Sequence, residues 1–523
     1  MPITQPDILL IILDTQRRDR LSIYGHDRET SPEFDTFAAE ATLFERAVSP
    51  AQWTIPSHAS MFTGLYPSTH RVTQSNSRVP EALPLLAEIL QGGGYHTVGF
   101  CNNPLVGVLD NNLKRGFDHF YNYAGAAPNR PVDRRKSRIR REWSTRFRQF
   151  AWFVQNSFAH SDAMFRLSLN PLFVPLWTRF ANYKGHTTHS ITDFIDYMRV
   201  RRAGSNGFSN GADQPLFAFL NLMGTHLPYR PPQSAIDRVA PELKGDKHAY
   251  RFMRRFNADA ARWASPPDPP LEDWERRAID DFYDAEIVHQ DEHLGRLLRY
   301  LDESGALDNT LVIIAADHGE GHGDHQFFGH GFVVYQELIH VPLVIRYPDR
   351  FPAGARVKTN VSTRRIFHTI LDIAGLQPSF DEDHPNTNVE GLSLARATNC
   401  KPDTEGGLVF AEAFPPLTFL NVLEHRNPSL IDRLYLTQVR RGVYEDTHKL
   451  AVVANQIEGL FDVSADPGET ADVAAEKPEL AAELQRKIDD FVIAAERYRN
   501  NGDAQNGVDP SVEDNLRALG YID

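Results

Sequence analysis

The sequence predicts an α/β fold: a mostly parallel central sheet flanked by helices, with a smaller C-terminal α+β domain. Three features predict it. Five short runs through the first 350 residues are almost wholly apolar, as strands covered on both faces must be. Helical patterns lie between them, the alternation of a parallel sheet. From about Phe380 the pattern changes to shorter segments that read as antiparallel strands.

Taken in order, the runs are "DILLIILD" (7–14), "HTVGFCN" (96–102), "LFAFLNLM" (216–223), "TLVIIAADHG" (310–319) and "VPLVIRYP" (341–348). All five are expected to be buried parallel strands. "LPLLAEILQGGGY" ends in glycines, as a helix C-terminus does. "AIDDFYDAEIVHQDEHLGRLLRYLDESG" is long and amphipathic and stops near a Gly. "STRRIFHTILDIAGL" opens on a Ser/Thr cap and closes on a Gly. Beyond 380, "GLVFAEAF", "LYLTQVRRGVYED", "HKLAVVAN" and "IEGLFDV" read as strands, and "PELAAELQRKIDDFVIAAERYR" as a helix. The expected division is 1–379 and 380–523. Residues 121–201 form an irregular basic and aromatic insertion, either a solvated helix with one buried face or a grip for an anionic or lipid-bearing substrate.

The chain has 523 residues, 41% hydrophobic and 24% charged, with a formal net charge of −14. That acidity argues against nucleic-acid binding through a general basic surface. Two cysteines, Cys101 and Cys400, do not suggest a disulfide scaffold. No signal-peptide pattern opens the chain and "ILLIIL" is too short to span a bilayer, so a cytoplasmic location is expected. Contact with a membrane surface through 130–180 is the one exception the composition suggests.

In doubly covered sheets, ligands sit beyond the C-terminal strand ends. Asp14, Asn102 and Asp317 stand at three such ends. A carboxylate there is costly unless its charge is compensated, so Asp14 either binds a metal or caps a turn. In "AADHGEGHGDH", Asp317 and His318 offer oxygen and nitrogen to a divalent cation. Strand neighbours point to opposite faces, so both reach one ion only where the chain turns, which the following glycines permit. His322 and His325 are looser candidates for a ligand or substrate role, or else surface-loop residues. In "QWTIPSHASMF", Pro56 suits a first helical turn. Thr54 is then either an N-cap or a nucleophile favoured by the helix dipole. His58, one turn on, can bond to Thr54 or to an anion at the helix end.

The chain resembles the sulfatase family of the alkaline phosphatase superfamily. "LDTQRRDRLSIYGHDRETSP", "TIPSHASMFTGLYP", "GYHTVGFCNNP", "LMGTHLPYRPP", "YDAEIVHQDEHLGRLL", "AADHGEGHGDH", "GHGFVVYQELIHVPLVI" and "LFDVSADPGETADVA" occur in the family's order. The resemblance implies metal positions at Asp14, Asp317 and His318, with Thr15 where a second Asp is common. It implies a leaving-group role for His226. His330 and Asn102 fall where the family often places anion-binding lysines. The family signature opens on Cys or Ser, which matures to formylglycine; here Thr54 stands there, and its oxidation would give a ketone. No formylglycine is expected, and His58 replaces the signature Arg.

Relatives with a Thr nucleophile, such as nucleotide pyrophosphatases and lipoteichoic acid synthases, cleave or transfer phosphodiesters, and in the latter one metal is bound by an acid, the Thr, an Asp and a His. The resemblance therefore implies a metal-dependent ester hydrolase in which Asp14, Thr54, Asp317 and His318 hold one divalent ion: Ca, Mg, Mn or Zn. The catalytic set is Thr54, His58, His226 and His330, and the substrate-binding set Asn102, His58 and His330. The substrate would be a small-molecule, glycan- or lipid-linked anionic ester, a phosphodiester or phosphonate ester ahead of a sulfate. A transferase on the same site and a silent binding protein are the rival readings.

Overall fold

The computed structural model describes residues 5–503, apart from 126–127, 132–171, 173, 175–182, 204–213, 260–265, 267–269, 379–383 and 399–402. Most of the 121–201 insertion lies outside the described residues, including nearly all of the expected membrane-facing stretch 130–180. Cys400 also lies outside them; Cys101 is buried and free.

Strands β1 (Asp7–Leu13), β2 (Thr42–Val48), β3 (His96–Cys101), β4 (His119–Asn122), β5 (Leu216–Leu222) and β6 (Thr310–Ala315) run in one direction. Beyond β6 comes a small hairpin, β7 (Gly321–His322) and β8 (Phe328–Gly329). Strand β9 (His340–Arg346) then returns between β6 and β2, antiparallel to both. Two short strands, β10 (Arg356–Val357) and β11 (Val361–Ser362), pair in parallel with β2. The sheet order is β10-β2-β9-β6-β1-β5-β3-β4, with β11 beside β2.

Of the five expected parallel strands, "VPLVIRYP" is thus antiparallel. Burial on both faces, not direction, writes a continuous apolar run, and β9 has both faces covered. Strand β2 escapes that pattern because Glu45 and Arg46 interrupt it. They fall where the β2–β9 register shifts, between Phe44 and Ala47. The helix Thr187–Arg202 corrects the view that 121–201 is irregular throughout. Its Ile191, Phe194, Ile195 and Met198 are buried at helical spacing.

Period-two alternation divides β1 between two cores. Leu9, Ile11 and Leu13 pack with helices Pro32–Ala39, Thr187–Arg202 and Asp273–Glu303. Ile8, Leu10 and Ile12 pack on the other face with helices Thr54–Thr63, Leu86–Gly92 and Ile366–Ala374. A second sheet, β12 (Val409–Ala413), β13 (Arg440–Glu445), β14 (His448–Val453) and β15 (Gln456–Asp462), is antiparallel throughout. One face shares a core with Val48, Phe332 and Leu338 of the main body. The other is covered by the helix Pro478–Asp503 through Leu484 and Ile488.

Candidate active site

Because β1, β2, β3, β5 and β6 point the same way, their C-terminal ends share one edge of the sheet. Asp14 follows β1, Asn102 and Asn103 follow β3, and Asp317 and His318 follow β6. Six residues beyond the end of β2, the helix Thr54–Thr63 begins. The hydroxyls of Ser49 and Ser57 both donate to the Asp317 carbonyl, at 2.5 and 2.7 Å, tying that helix to the end of β6.

Ligand atoms of Asp14, Asp317 and His318 all lie within 4.8 Å of one another, and all three residues are fully buried. Asp14 Oδ2 accepts from Asn103 Nδ2 at 2.6 Å and Asn221 Nδ2 at 3.1 Å. Asp317 Oδ1 accepts from the backbone N–H groups of Thr15 and His318, at 3.2 and 3.0 Å. Asp14 Oδ1 and Asp317 Oδ2 are buried with no hydrogen-bond donor. His318 Nδ1 faces the Gly319 carbonyl at 2.8 Å, which assigns the proton there and leaves a lone pair on Nε2. Two unsatisfied carboxylate oxygens and one free imidazole nitrogen form a donor set that fits a divalent cation.

The electrostatics agree with that fit. Burial pushes the Asp14 carboxyl up to about 6, against the lowering by Asn103 and Asn221. Burial, then the neighbouring Asp14, pushes Asp317 well above the usual carboxylate range. His318 is held well below its ordinary value by burial and by the nearby His330. A bound cation reverses the charge cost for both acids.

Thr54 is the first residue of its helix. The N-cap position is Trp53, and no side chain caps the helix. Thr54 Oγ1 instead lies 3.3 Å from both His318 Nε2 and Asn103 Nδ2. His58 bonds the Thr54 backbone, its Nδ1 2.9 Å from the Thr54 carbonyl and 3.5 Å from Asp317 Oδ2, and Asn221 Nδ2 faces its Nε2 at 3.4 Å. Burial lowers His58 to about 4, so its ring is neutral near pH 7.

The remaining histidines divide into two groups. His330 Nδ1 bonds Glu320 Oε1 at 2.7 Å, and its ring lies 4.6 Å from His318 and 5.1 Å from His226. Burial pulls His330 down, but the charge and hydrogen bond of Glu320 raise it above its ordinary value. His226 donates from Nδ1 to the Leu227 carbonyl, and burial holds it well below 6.5. His322 and His325 stand apart from this group: His322 is buried in β7, and His325 lies partly exposed in the turn between β7 and β8. His322 is buried between Tyr229 and Asp280, and His325 pairs with Glu337.

Asn102 is fully buried and both its amide atoms lack a partner. Its neighbour Asn103, which the sequence reading passed over, contacts the site. Asn103 caps the short helix Pro104–Gly107, with Oδ1 accepting from Leu105 N, and this turns Nδ2 toward Asp14 and Thr54. The signal was present: an Asn immediately before a Pro at a helix start. Glu320 and Arg17 were also missed. Arg17 is buried, pairs with Asp19 and Asp324, and donates to the Glu320 carbonyl. Thr15 donates through its hydroxyl to the Asp14 carbonyl, at 2.7 Å. Its φ of 59° is a conformation that β-branched residues resist, at about 1–3 kcal/mol.

This fold and this edge of acids, histidines and a hydroxyl define an ester hydrolase of the alkaline phosphatase superfamily. The sulfatase family pattern matches residues 6–376, and the chain belongs to that family. An arylsulfatase of Clostridium perfringens is 25% identical over 420 residues, 75% of this chain and 78% of that one. An N-acetylglucosamine-6-O-sulfatase of Bacteroides thetaiotaomicron is 21% identical over 535 residues, 95% of this chain and 87% of that one. A phosphonate monoester hydrolase of Agrobacterium radiobacter superposes with a TM-score of 0.62 at 22% identity, covering 94% of this chain and 96% of that one. At that identity the likeness shows the fold. Sulfatases generally use a divalent metal. Among the described residues, no helix is long and apolar enough to cross a membrane.

Proposed function

We propose that the protein hydrolyses phosphodiesters or phosphonate monoesters with unprocessed Thr54 as the nucleophile and one divalent ion. The observation that carries this reading is the hydroxyl of Thr54. It stands at a helix start without a capping task, 3.3 Å from His318 Nε2, beside two buried carboxylates with unsatisfied oxygens. Asp14, Asp317, His318 and Thr54 Oγ1 would hold the ion, which when bound lowers the pKa of the hydroxyl and screens the anion. Thr54 Oγ1 gives up its proton to solvent and attacks phosphorus in line, and the ester oxygen departs as the P–O bond to it breaks. Asn103 Nδ2 orients Thr54 Oγ1 by donating to it. His58 fixes the Thr54 backbone and stays neutral.

His330 is the histidine of the pair that takes a proton more readily, because Glu320 raises it above its ordinary value while burial holds His226 below its own. It supplies positive charge to the anion and the proton to the departing oxygen. His226, held neutral, packs against it and lines the same space. Asn102, with both amide atoms unpartnered, faces the anion. Water then cleaves the ester on Thr54 and restores the enzyme. The exchange of two lysine positions for Asn102 and His330 suits a singly charged diester better than a dianion.

The names of the relatives favour a second reading, sulfate ester hydrolysis on an aryl or amino-sugar substrate. A panel of sulfate monoesters, phosphate mono- and diesters and phosphonate monoesters, each with Ca, Mg, Mn and Zn, separates the two. Turnover confined to sulfates would overturn the phosphorus assignment. A division of the chain near 379 into a catalytic and a smaller domain belongs to the same proposal, supported by the switch from the mostly parallel to the antiparallel sheet.

A further inference from the structure

Tyr283 sits on the long helix Asp273–Glu303. It is fully buried, with its ring edge-on to Tyr229 at 5.4 Å and to His322 at 4.6 Å. Its hydroxyl reaches the turn that leaves β1. It donates to the Thr15 carbonyl at 2.7 Å and accepts from the Arg17 N–H at 2.8 Å. Burial pushes the phenol well above its ordinary value, so it keeps the proton it donates.

That turn holds the Asp317 carboxylate and the backbone of Asp14. The Thr15 N–H donates to Asp317 Oδ1, and the Thr15 hydroxyl to the Asp14 carbonyl at 2.7 Å. The Thr225 hydroxyl donates to the same carbonyl at 2.6 Å. Yet Thr15 holds the left-handed φ that its branched side chain resists, so something outside the turn must retain it. The Tyr283 hydroxyl, bonded on both sides of that residue, is placed to do so.

We infer that Tyr283 is a positioning residue for the cation site, its hydroxyl clamping the Thr15 turn so that Asp14 and Asp317 are set before an ion arrives. The inference rests on Asp14, Asp317 and His318 as ion ligands, and extends their support to a residue that touches none of them through its own side chain. Outer groups of this kind orient ligands and typically change metal affinity by about 10–100-fold.

The test is calorimetric titration of Mn2+ into metal-stripped full-length wild type, Tyr283→Phe and Asp317→Asn. Phenylalanine keeps the ring packing and removes both hydrogen bonds. The expected result is loss of binding in Asp317→Asn and weakening by roughly 10-fold or more in Tyr283→Phe. A merely structural tyrosine would lower the melting temperature and leave Mn2+ affinity alone. Unchanged affinity in Tyr283→Phe, with binding lost in Asp317→Asn, overturns the clamp and leaves the ion site standing. Equal binding by wild type and Asp317→Asn overturns the ion site and this inference with it. Amide exchange in stripped wild type decides the matter if Tyr283→Phe does not fold. The Thr15 and Arg17 amides are expected to exchange slowly already, and fast exchange arrested only by Mn2+ overturns the preset turn.

Discussion

At the scale of single residues, the site joins a hydroxyl to two acids that are expensive to ionise. Asp14 has its carboxyl raised from 3.8 to about 6 by burial. An acid whose folded value is raised binds more protons folded than unfolded. Its stabilising effect is therefore complete below pH 4 and lost as pH rises through 6. The metal-free protein should lose stability across that window. A divalent ion should restore it, so the rise in melting temperature on adding the ion should be larger at pH 7.5 than at pH 5. An equal rise at both values would show that ion binding is not coupled to these carboxyl groups. Thr54→Ala should lower kcat by at least about 10³-fold without unfolding the protein, as loss of a covalent nucleophile does. Activity near wild type would return Thr54 to a structural role.

At the scale of elements, strand direction brings these residues together. Strands β1, β3, β5 and β6 were legible because double burial leaves unbroken apolar runs, and their ends marked Asp14, Asp317 and His318. Strand β2 was not, because Glu45 and Arg46 break the run at its bulge. The direction of β9 was not, because burial alone does not encode it. Asn102 and Asn103 show the limit of resolution along a chain. Both follow β3, and only the cap geometry of the Pro104–Gly107 helix decides which amide turns toward Thr54. This yields a paired prediction. Asn103→Asp should keep the cap but replace the amide donor to Asp14 and Thr54 by a third buried acid, so the metal-free variant should be less stable than wild type. Its kcat should fall by at least about 10-fold. Asn103→Ala should lose both activity and about 1 kcal/mol of stability, read by denaturant unfolding. An active Asn103→Asp would remove the amide from the site.

At the scale of the whole molecule, the second sheet is fastened to the segments flanking the candidate nucleophile. Glu412 of β12 is fully buried and accepts from the Ser68 N–H at 2.7 Å and from Arg441 Nε at 3.0 Å. Its own N–H donates to the Pro50 carbonyl, four residues before Thr54. Glu412→Ala leaves the Arg441 charge without its buried partner and should destabilise the protein by about 3–5 kcal/mol, seen as a lower midpoint of urea unfolding. A midpoint unchanged from wild type would show that the two sheets are held by their apolar contact alone. All of these contacts serve the arrangement we propose, strand ends and a helix start meeting around the hydroxyl of an unprocessed Thr54. Rapid-quench mass spectrometry of the peptide containing Thr54, during turnover of a phosphonate monoester or phosphodiester, tests that claim most directly. We expect plain threonine at rest and a phosphonyl or phosphoryl group on Thr54 during turnover; steady turnover with Thr54 unmodified at every time point would contradict it.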